Sequence, residues 1–373
     1  MFKKLFIFLI CLALPWTFAY AEEENAVETN EQANVYYLTL NQAIEMAVND
    51  NPQLKTCEIK KSNYEIQLDA AEYSAATYRK TRTVLVSSGY EVTYVKGGYY
   101  VLSAQEAIKL SDMEYEQVKS KIAYDTTEKY FNYKSAVKLV ELMNKSYELI
   151  ENNYNSAKLS YDLGLISKSE LDNAALSVKQ ALYTLESYKD NCELAKENLK
   201  IILQKNNEDC ELILTDEISS GEYDFNLEND LVTASEKRYD INSLKSNYIL
   251  AEKYYDLTDL PENSAKYYSA MSNYITAKYN YTRNKDLILL GVRSTYNNIS
   301  AAKNNLDLKI DTLSIKNDNY SIANVKYEQG MITNIELTSA LNDAAQAEID
   351  VENAKLAYKL ALEKYHYEVV IGL

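Results

Sequence analysis

Two pairs of side chains in this sequence are spaced to hold hydrogen bonds reciprocally: Ser167 with Glu170, and Thr333 with Glu336. A hydroxyl followed three residues later by a carboxylate is a capping box. The hydroxyl accepts from the backbone N–H three residues on, and the carboxylate accepts from the hydroxyl residue's own N–H. Ile166 with Leu171, and Ile332 with Leu337, occupy the matching positions of a hydrophobic staple. Just ahead of each box stands a glycine flanked by apolar or neutral residues, Leu163-Gly164-Leu165 and Gln329-Gly330-Met331. Glycine ends a helix in the left-handed conformation without a Cβ penalty. The spacing therefore predicts a helix ending at a Gly and a new helix starting three residues later, once in each half of the chain.

Side chains that could do covalent chemistry are sparse. His366 is the one histidine, and its place near the end of the last helical pattern reads as structural. No phosphate loop, nucleophile elbow, HExxH or CxxC pattern occurs. Paired carboxylates such as Glu114 with Glu116 read as a solvated helix face. Cys57, Cys192 and Cys210 are an odd number beyond the leader, which permits at most one internal disulfide, and their spacing does not suit a metal. These residues predict a protein that is not an enzyme and carries no cofactor or metal.

The elements that must position the tips are long helices. The chain has 373 residues, eight Gly and three Pro, a formal charge of −16 and 35 Tyr. So little Gly and Pro favours long helices, and Tyr suits thin, partly wet helix seams. Such acidity disfavours nucleic acid and anionic lipid as partners. Residues 1–21 read as a secretory signal peptide: Lys3 and Lys4, an apolar run to Leu14, and Ala19-Tyr20-Ala21 as the cleavage site. No later apolar run is long enough for a transmembrane helix.

The remaining expectations follow in chain order. Residues 22–36 form a flexible leader, and residues 37–204 a first repeat with a β-ribbon at 82–102. Residues 205–229 form a linker with a short strand at Cys210–Thr215, and residues 230–373 a second repeat. Within the first repeat, short helices over 38–48 and 52–79 precede a helix over 104–162 of about 88 Å, and a further helix over 167–204. The second repeat gives helices over 230–260, 268–328 and 333–370. Alternation, β-branched residues and Gly97-Gly98 carry the ribbon. Leu171, Val178, Leu185, Cys192 and Leu199 recur every seven residues, as do Leu337, Ala344, Val351, Tyr358 and Tyr365. Rows of Ala run beside both, the pattern of coiled-coil seams, with Cys192 as a small buried hydrophobe.

Four stretches together resemble the TolC family of outer-membrane efflux proteins. They are Leu38-Thr39-Leu40-Asn41-Gln42-Ala43-Ile44 running to Asn51-Pro52-Gln53-Leu54; Ala123-Tyr124 to Tyr130-Phe131-Asn132; Val292-Arg293-Ser294-Thr295-Tyr296-Asn297-Asn298; and the two Gly tips. The resemblance spans residues 38–372 and includes the duplication. It implies a mainly α fold, a homotrimeric α-barrel of duplicated coiled-coil hairpins, in an exported protein of the outer membrane or periplasm. It further implies an adaptor (membrane-fusion) protein and an inner-membrane transporter as partners. Leu163, Gly164, Leu165, Gln329, Gly330 and Met331 would be the docking residues. Acidic residues past the second tip would face the pore entrance. Glu336 holds one such position and Ser339 the other, which removes half of that acidic ring.

The far end departs further from the family. The family pattern supplies four β-strands per protomer, and here only 82–102 is available, with Leu257-Thr258-Asp259-Leu260-Pro261 lacking the following glycines. A spanning strand needs about 9–11 residues, so a trimer would own about six strands, below the roughly eight of the smallest barrels. Two functions stay open. One is a passive duct of a tripartite efflux or type I secretion system. The other is a trimeric helical envelope accessory or spacer that does not span an outer membrane, in which contact through 82–102 would be limited.

Overall fold

A computed structural model describes residues 34–80, 89–206, 210–218, 225–258 and 261–370. The expected signal peptide and the start of the leader lie outside the described residues. The elements are β1 (Asn34–Leu38), α1 (Leu40–Val48), α2 (Pro52–Lys80), α3 (Gly89–Lys96), α4 (Tyr99–Asp162), α5 (Lys168–Ile202), β2 (Cys210–Leu214), α6 (Leu227–Lys237), α7 (Tyr239–Asp256), α8 (Ala265–Glu328) and α9 (Asn334–Val370).

Length matching gives the architecture. α4 and α8 each have 64 residues, about 96 Å. Along α4 lie α2, of 29 residues, and α5, of 35. Along α8 lie α7, of 18 residues, and α9, of 37. α4 also packs on α7 and α9, so the helices form one layer in the order α2 and α5, α4, α7 and α9, α8. The two edges of that layer are therefore different surfaces, α2 with α5 on one side and α8 on the other.

A small core clamps the middle of the layer. β1 pairs with β2 in parallel, Asn34 opposite Cys210 and Leu38 opposite Leu214. The expected strand over Cys210–Thr215 is present, whereas the last residues of the expected leader, from Asn34 on, are strand rather than flexible chain. Leu38, Leu212 and Leu214 bury against Tyr130 and Phe131 of α4, which repays the ordering of that segment. Tyr130 is fully buried; its hydroxyl donates to the Leu38 carbonyl at 2.8 Å and accepts from the Asp216 N–H at 3.1 Å. Tyr130→Phe leaves the Asp216 N–H without its partner, while the Leu38 carbonyl keeps the Thr215 N–H at 3.0 Å, and should cost about 1–3 kcal/mol, read as a lower urea midpoint with unchanged helical circular dichroism.

The expected β-ribbon is overturned where it can be seen. Its first part, 82–88, lies outside the described residues, but 89–96 is helix α3 and 99–102 opens α4. Alternating aromatic and β-branched residues at Tyr90, Val92 and Tyr94 fit a strand, yet Tyr90, Tyr94 and Val95, Tyr99 also have the i, i+4 spacing of a helix, and burial decides. Tyr94 is buried, stacks on Tyr254 at 4.5 Å and 11°, and shares a hydrogen bond of 3.1 Å with Thr258. Tyr99 meets both rings edge-on. A Cβ at Gly97 would collide with the Leu257 side chain, and Gly98 turns the chain at φ +76. The ends of the two repeats opposite the tips are thus locked together by a tyrosine cluster.

Two smaller expectations also shift. The helix expected over 230–260 breaks at Arg238, whose extended ψ of 132° separates α6 from α7. All three described cysteines are free; Cys57 and Cys210 are buried while Cys192 is only half-buried, because α5 is an edge helix.

Candidate functional site: the paired helical tips

Each tip is a complete helix stop followed by a complete helix start. At the first, the Leu165 N–H donates to the Ser160 carbonyl and the Gly164 N–H to Tyr161, both at 2.8 Å. At the second, the Met331 N–H donates to Lys326 at 2.8 Å and the Gly330 N–H to Tyr327 at 2.9 Å. This six-to-one and five-to-two pairing is the Schellman motif, and both glycines sit at φ +70. The helix starts match as well. The Ser167 N–H donates to Glu170 Oε2 at 2.7 Å while the Ser167 hydroxyl accepts from the Glu170 N–H at 3.3 Å. The Thr333 N–H donates to Glu336 Oε2 at 2.8 Å while its hydroxyl accepts from the Glu336 N–H at 3.3 Å.

The electrostatics follow from these bonds. The backbone N–H and hydroxyl of the capping residue hold the carboxyl groups of Glu170 and Glu336 below the usual carboxylate range. A depressed carboxyl contributes cap stability above its unfolded pKa and loses it as pH falls through the folded one. Glu336 and Ser339 lie on exposed surface of α9. The carboxylate of Glu336 is already engaged by its cap, and Ser339 adds no charge beside it.

What the tips present outward is apolar. Leu163, Leu165 and Met331 are 66, 73 and 69 % exposed, and Gln329 and both glycines are also exposed. Single exposed apolar residues are ordinary; three at the turns of adjacent hairpins, held by backbone bonds that fix their direction, make a rigid two-knuckle surface. Asn334 ties the knuckles together, its Nδ2 donating to the Asn153 carbonyl of α4 at 3.4 Å and to the Tyr327 hydroxyl at 3.4 Å. Between α8 and α9, Lys309 meets Asp350 at 2.7 Å and Lys316 meets Asp343 at 2.6 Å. Such partly exposed pairs are worth about 0–1 kcal/mol each, so they set register more than stability.

The spacing of sevens also carries a surface that the seam reading passed over. On α2, Ile59, Ile66 and Tyr73 are exposed, and on α8 Leu308, Ile315 and Ile322 are exposed. Both rows recur every seven residues, and each lies on one of the two edges of the layer. The signal was legible, since heptads on helices with nothing beyond them in the layer must face something outside it.

No group of residues that could hold a metal ion occurs among the described residues. No helix of the described residues is long and apolar enough to cross a membrane.

Comparison with known proteins places the architecture. Residues 231–364 match the family model described as outer membrane efflux protein. Comparison with curated protein sequences gives no match. Among solved structures, the Campylobacter jejuni CmeC outer membrane channel superposes with a TM-score of 0.69 at 14 % identity, covering 89 % of this chain and 85 % of that one. The Vibrio cholerae outer membrane protein VceC gives 0.70 at 13 %, covering 89 % and 96 %. A Pseudomonas aeruginosa membrane protein gives 0.73 at 12 %, covering 88 % and 92 %. At such identities the likeness is one of fold.

Proposed function

We propose that this chain, TolC-like in fold over nearly its whole length and matched to the efflux family over residues 231–364, is the passive duct of an exported efflux or secretion assembly, placed in the outer cell envelope. Its work is to enclose a path rather than to catalyse, in keeping with a family of channels. The observation that carries the reading is the pair of tips: two independent segments of sequence converge on one backbone geometry and leave apolar knuckles at the same end. A generic coiled coil has no use for that. An adaptor protein is the partner such a surface suits, since the knuckles project at hairpin ends, fixed in direction by their caps.

Assembly follows from the edges. The α2 row and the α8 row differ, so one protomer's α8 edge meets the next protomer's α2 and α5 edge, a heterologous contact that closes into a ring. The resemblance to TolC sets that ring at three. Ile315→Asp with Leu308→Asp places two charges in the contact and should turn a trimer into a monomer by sedimentation, with helix content retained. A wild-type chain that sediments as a monomer sinks the ring.

One observation favours the second reading, a trimeric tube that does not span an outer membrane. Between α2 and α3 lie eight residues, 81–88, fewer than the about 9–11 of a single spanning strand. Single-channel conductance in a planar bilayer separates the two. Discrete steps from the purified trimer support the spanning duct; silence, with retention on an immobilised adaptor, supports the tube.

A further inference from the structure

A zipper of tyrosines joins α7 to α8. Tyr248 and Tyr255 stand seven residues apart on α7, and Tyr267, Tyr274 and Tyr281 seven apart on α8. That spacing puts each set on one stripe of its helix, and the two stripes interleave. From the outermost ring inward, the centroids lie 5.9 Å apart from Tyr268 to Tyr267, 5.7 Å on to Tyr255 and 5.6 Å on to Tyr274. The next steps are 5.9 Å to Tyr248 and 6.0 Å to Tyr281. Tyr255 with Tyr274, and Tyr248 with Tyr281, are stacked, their planes 9° and 2° from parallel. Tyr268, in the first turn of α8, is 60 % exposed, and the five rings behind it are half-buried. A continuous path of π-systems thus runs from a surface ring into the seam.

Charges along the path are graded. The Tyr248 hydroxyl donates to Glu252 Oε1 at 2.9 Å, and that bond pushes the phenol up to about 12, so it carries its proton at neutral pH. A phenol that loses an electron becomes a strong acid and sheds its proton in the same event. A carboxylate already hydrogen-bonded to it is the base that takes that proton. The negative charge of Glu252 also favours an electron hole on the ring beside it. Tyr274 has the opposite bias: the Lys278 ammonium lies 5.8 Å from its ring centroid and repels a hole there. A hole entering at Tyr268 therefore comes to rest at Tyr248. Tyr147 with Glu151 at 3.1 Å is the same phenol–carboxylate pair, yet among the described residues Tyr147 forms no ring pair. The one Trp, Trp16, falls in the expected signal peptide, so tyrosine is the most easily oxidised aromatic side chain in the rest of the sequence. Outside the cytosol no thiol pool meets an oxidant first.

We infer that this zipper is an oxidation relay that ends in a covalent cross-link between α7 and α8. A one-electron oxidant, here a haem peroxidase supplied with hydrogen peroxide, takes an electron from Tyr268. The hole passes from ring to ring to Tyr248, and the phenolic proton passes to Glu252. A second electron is lost from Tyr274 or Tyr281, with its proton going to water, which leaves two phenoxyl radicals side by side. One carbon–carbon bond forms between ring carbons ortho to the two oxygens. The hydrogens on those carbons leave as protons while each oxygen regains one, restoring both aromatic rings. Two phenols and one peroxide thus give one dityrosine and two waters. The relay rests on neither the tips nor the ring of protomers.

The test exposes the purified chain without its leader, its half-buried Cys192 alkylated, to a haem peroxidase and hydrogen peroxide. Dityrosine emission is read first, and tryptic peptides are then mapped. The expected product stays within one chain and joins peptide 246–253, which holds Tyr248, to peptide 267–278 or 279–283. Tyr248→Phe keeps a ring in the stack and should lose most of the emission, whereas Tyr147→Phe should keep it. Glu252→Gln should lower the tyrosyl radical signal seen by electron paramagnetic resonance after freeze-quenching. Tyr268→Phe should slow the reaction without moving the cross-link. Thermal melts matching the wild type show that the variants are folded, and the peptide map of the wild type decides without them. Absence of dityrosine, cross-links chiefly between chains through exposed rings such as Tyr73 and Tyr183, or undiminished emission from Tyr248→Phe each overturn the inference. Equal radical signals from the wild type and Glu252→Gln overturn the assignment of Glu252 as the base.

Discussion

Arg238→Ala is expected to lower the stability of the chain by about 3–5 kcal/mol, the cost of leaving a buried ion network with its cation removed. Arg238 is 4 % exposed. Its guanidinium grips Asp240 with two bonds, Nε to Oδ1 at 3.1 Å and Nη2 to Oδ2 at 2.7 Å. Nη1 reaches across to α9, donating to the Glu368 carbonyl at 2.8 Å and to its carboxylate at 3.2 Å. The bond to the main-chain carbonyl places a cation at the C-terminal end of α9, where the helix dipole favours it. Removing the arginine strands Glu368, whose side chain is only 15 % exposed, whereas Asp240 at 34 % can turn to water. Arg238→Lys should recover only part of the loss, because an ammonium cannot make the fork. Arg238→Met with Glu368→Leu should recover most of it, since burying neither charge removes the penalty. Urea unfolding of the four proteins checks the order. If Arg238→Ala unfolds within about 1 kcal/mol of the wild type, the network is not what pins the end of α9.

That network lies at a break with no Gly or Pro to announce it. The span expected as one helix, 230–260, turns at Arg238, where the guanidinium reaches both Asp240 and Glu368 and where Ala234 and Leu231 bury against Val292 and Tyr365. Such tertiary causes leave no local mark. The tips were legible for the opposite reason: a Schellman stop and a capping box are made of bonds within six residues, and the residue types follow directly from those bonds. The same holds for Thr39 with Gln42 at the start of α1, where both halves of a capping box form.

The length of α4 was read from the absence of Gly and Pro, and α8, which carries Gly291, from the repetition of the scheme in the second half; the errors at the ends of α4, α5, α8 and α9 amount to a few residues. β1 was missed because it lies beside a polar stretch and finds its partner more than 170 residues away, at β2. Its signal, Val35 and Tyr37 out with Tyr36 and Leu38 in, is visible only once that partner is known. The ribbon failed because aromatic spacing over 90–99 satisfies two periods, and the ring of Tyr254 decides between them. Heptads predicted the seams of α5 and α9 equally, and both rows turn inward: α9 buries Ala344, Ala347, Val351 and Ala354, and α5 buries Ala174, Leu185 and Leu199, while Leu176, Tyr183 and Leu194, off the predicted rows of α5, stay exposed. Periodicity reports which face is apolar and says nothing about how many neighbours that face will meet.

Gly164→Val with Gly330→Val is expected to cut adaptor binding by about 10- to 100-fold while leaving the seams folded. The left-handed conformation at φ +70 costs a β-branched residue about 1–2 kcal/mol at each tip. No neighbouring atom lies within 4 Å of the added Cβ at either glycine, so the cost is conformational and not a clash. The backbone relieves it by leaving φ > 0, which breaks the bonds from Leu165 to Ser160 and from Met331 to Lys326 and swings the exposed apolar residues away from their fixed directions. A change of about 1.4–2.8 kcal/mol in binding is a factor of 10 to 100. The capping boxes begin three residues later and are independent of the glycines, so α5 and α9 should keep their starts. Asparagine tolerates the left-handed region, and Gly164→Asn with Gly330→Asn should bind within about threefold of the wild type. This pair distinguishes geometry from side-chain bulk: Val and Asn are of similar size, and only one can hold the turn. Unchanged retention of the Val variant on an immobilised adaptor, or equal losses in the Val and Asn variants, would show that the turn geometry is not what the adaptor reads.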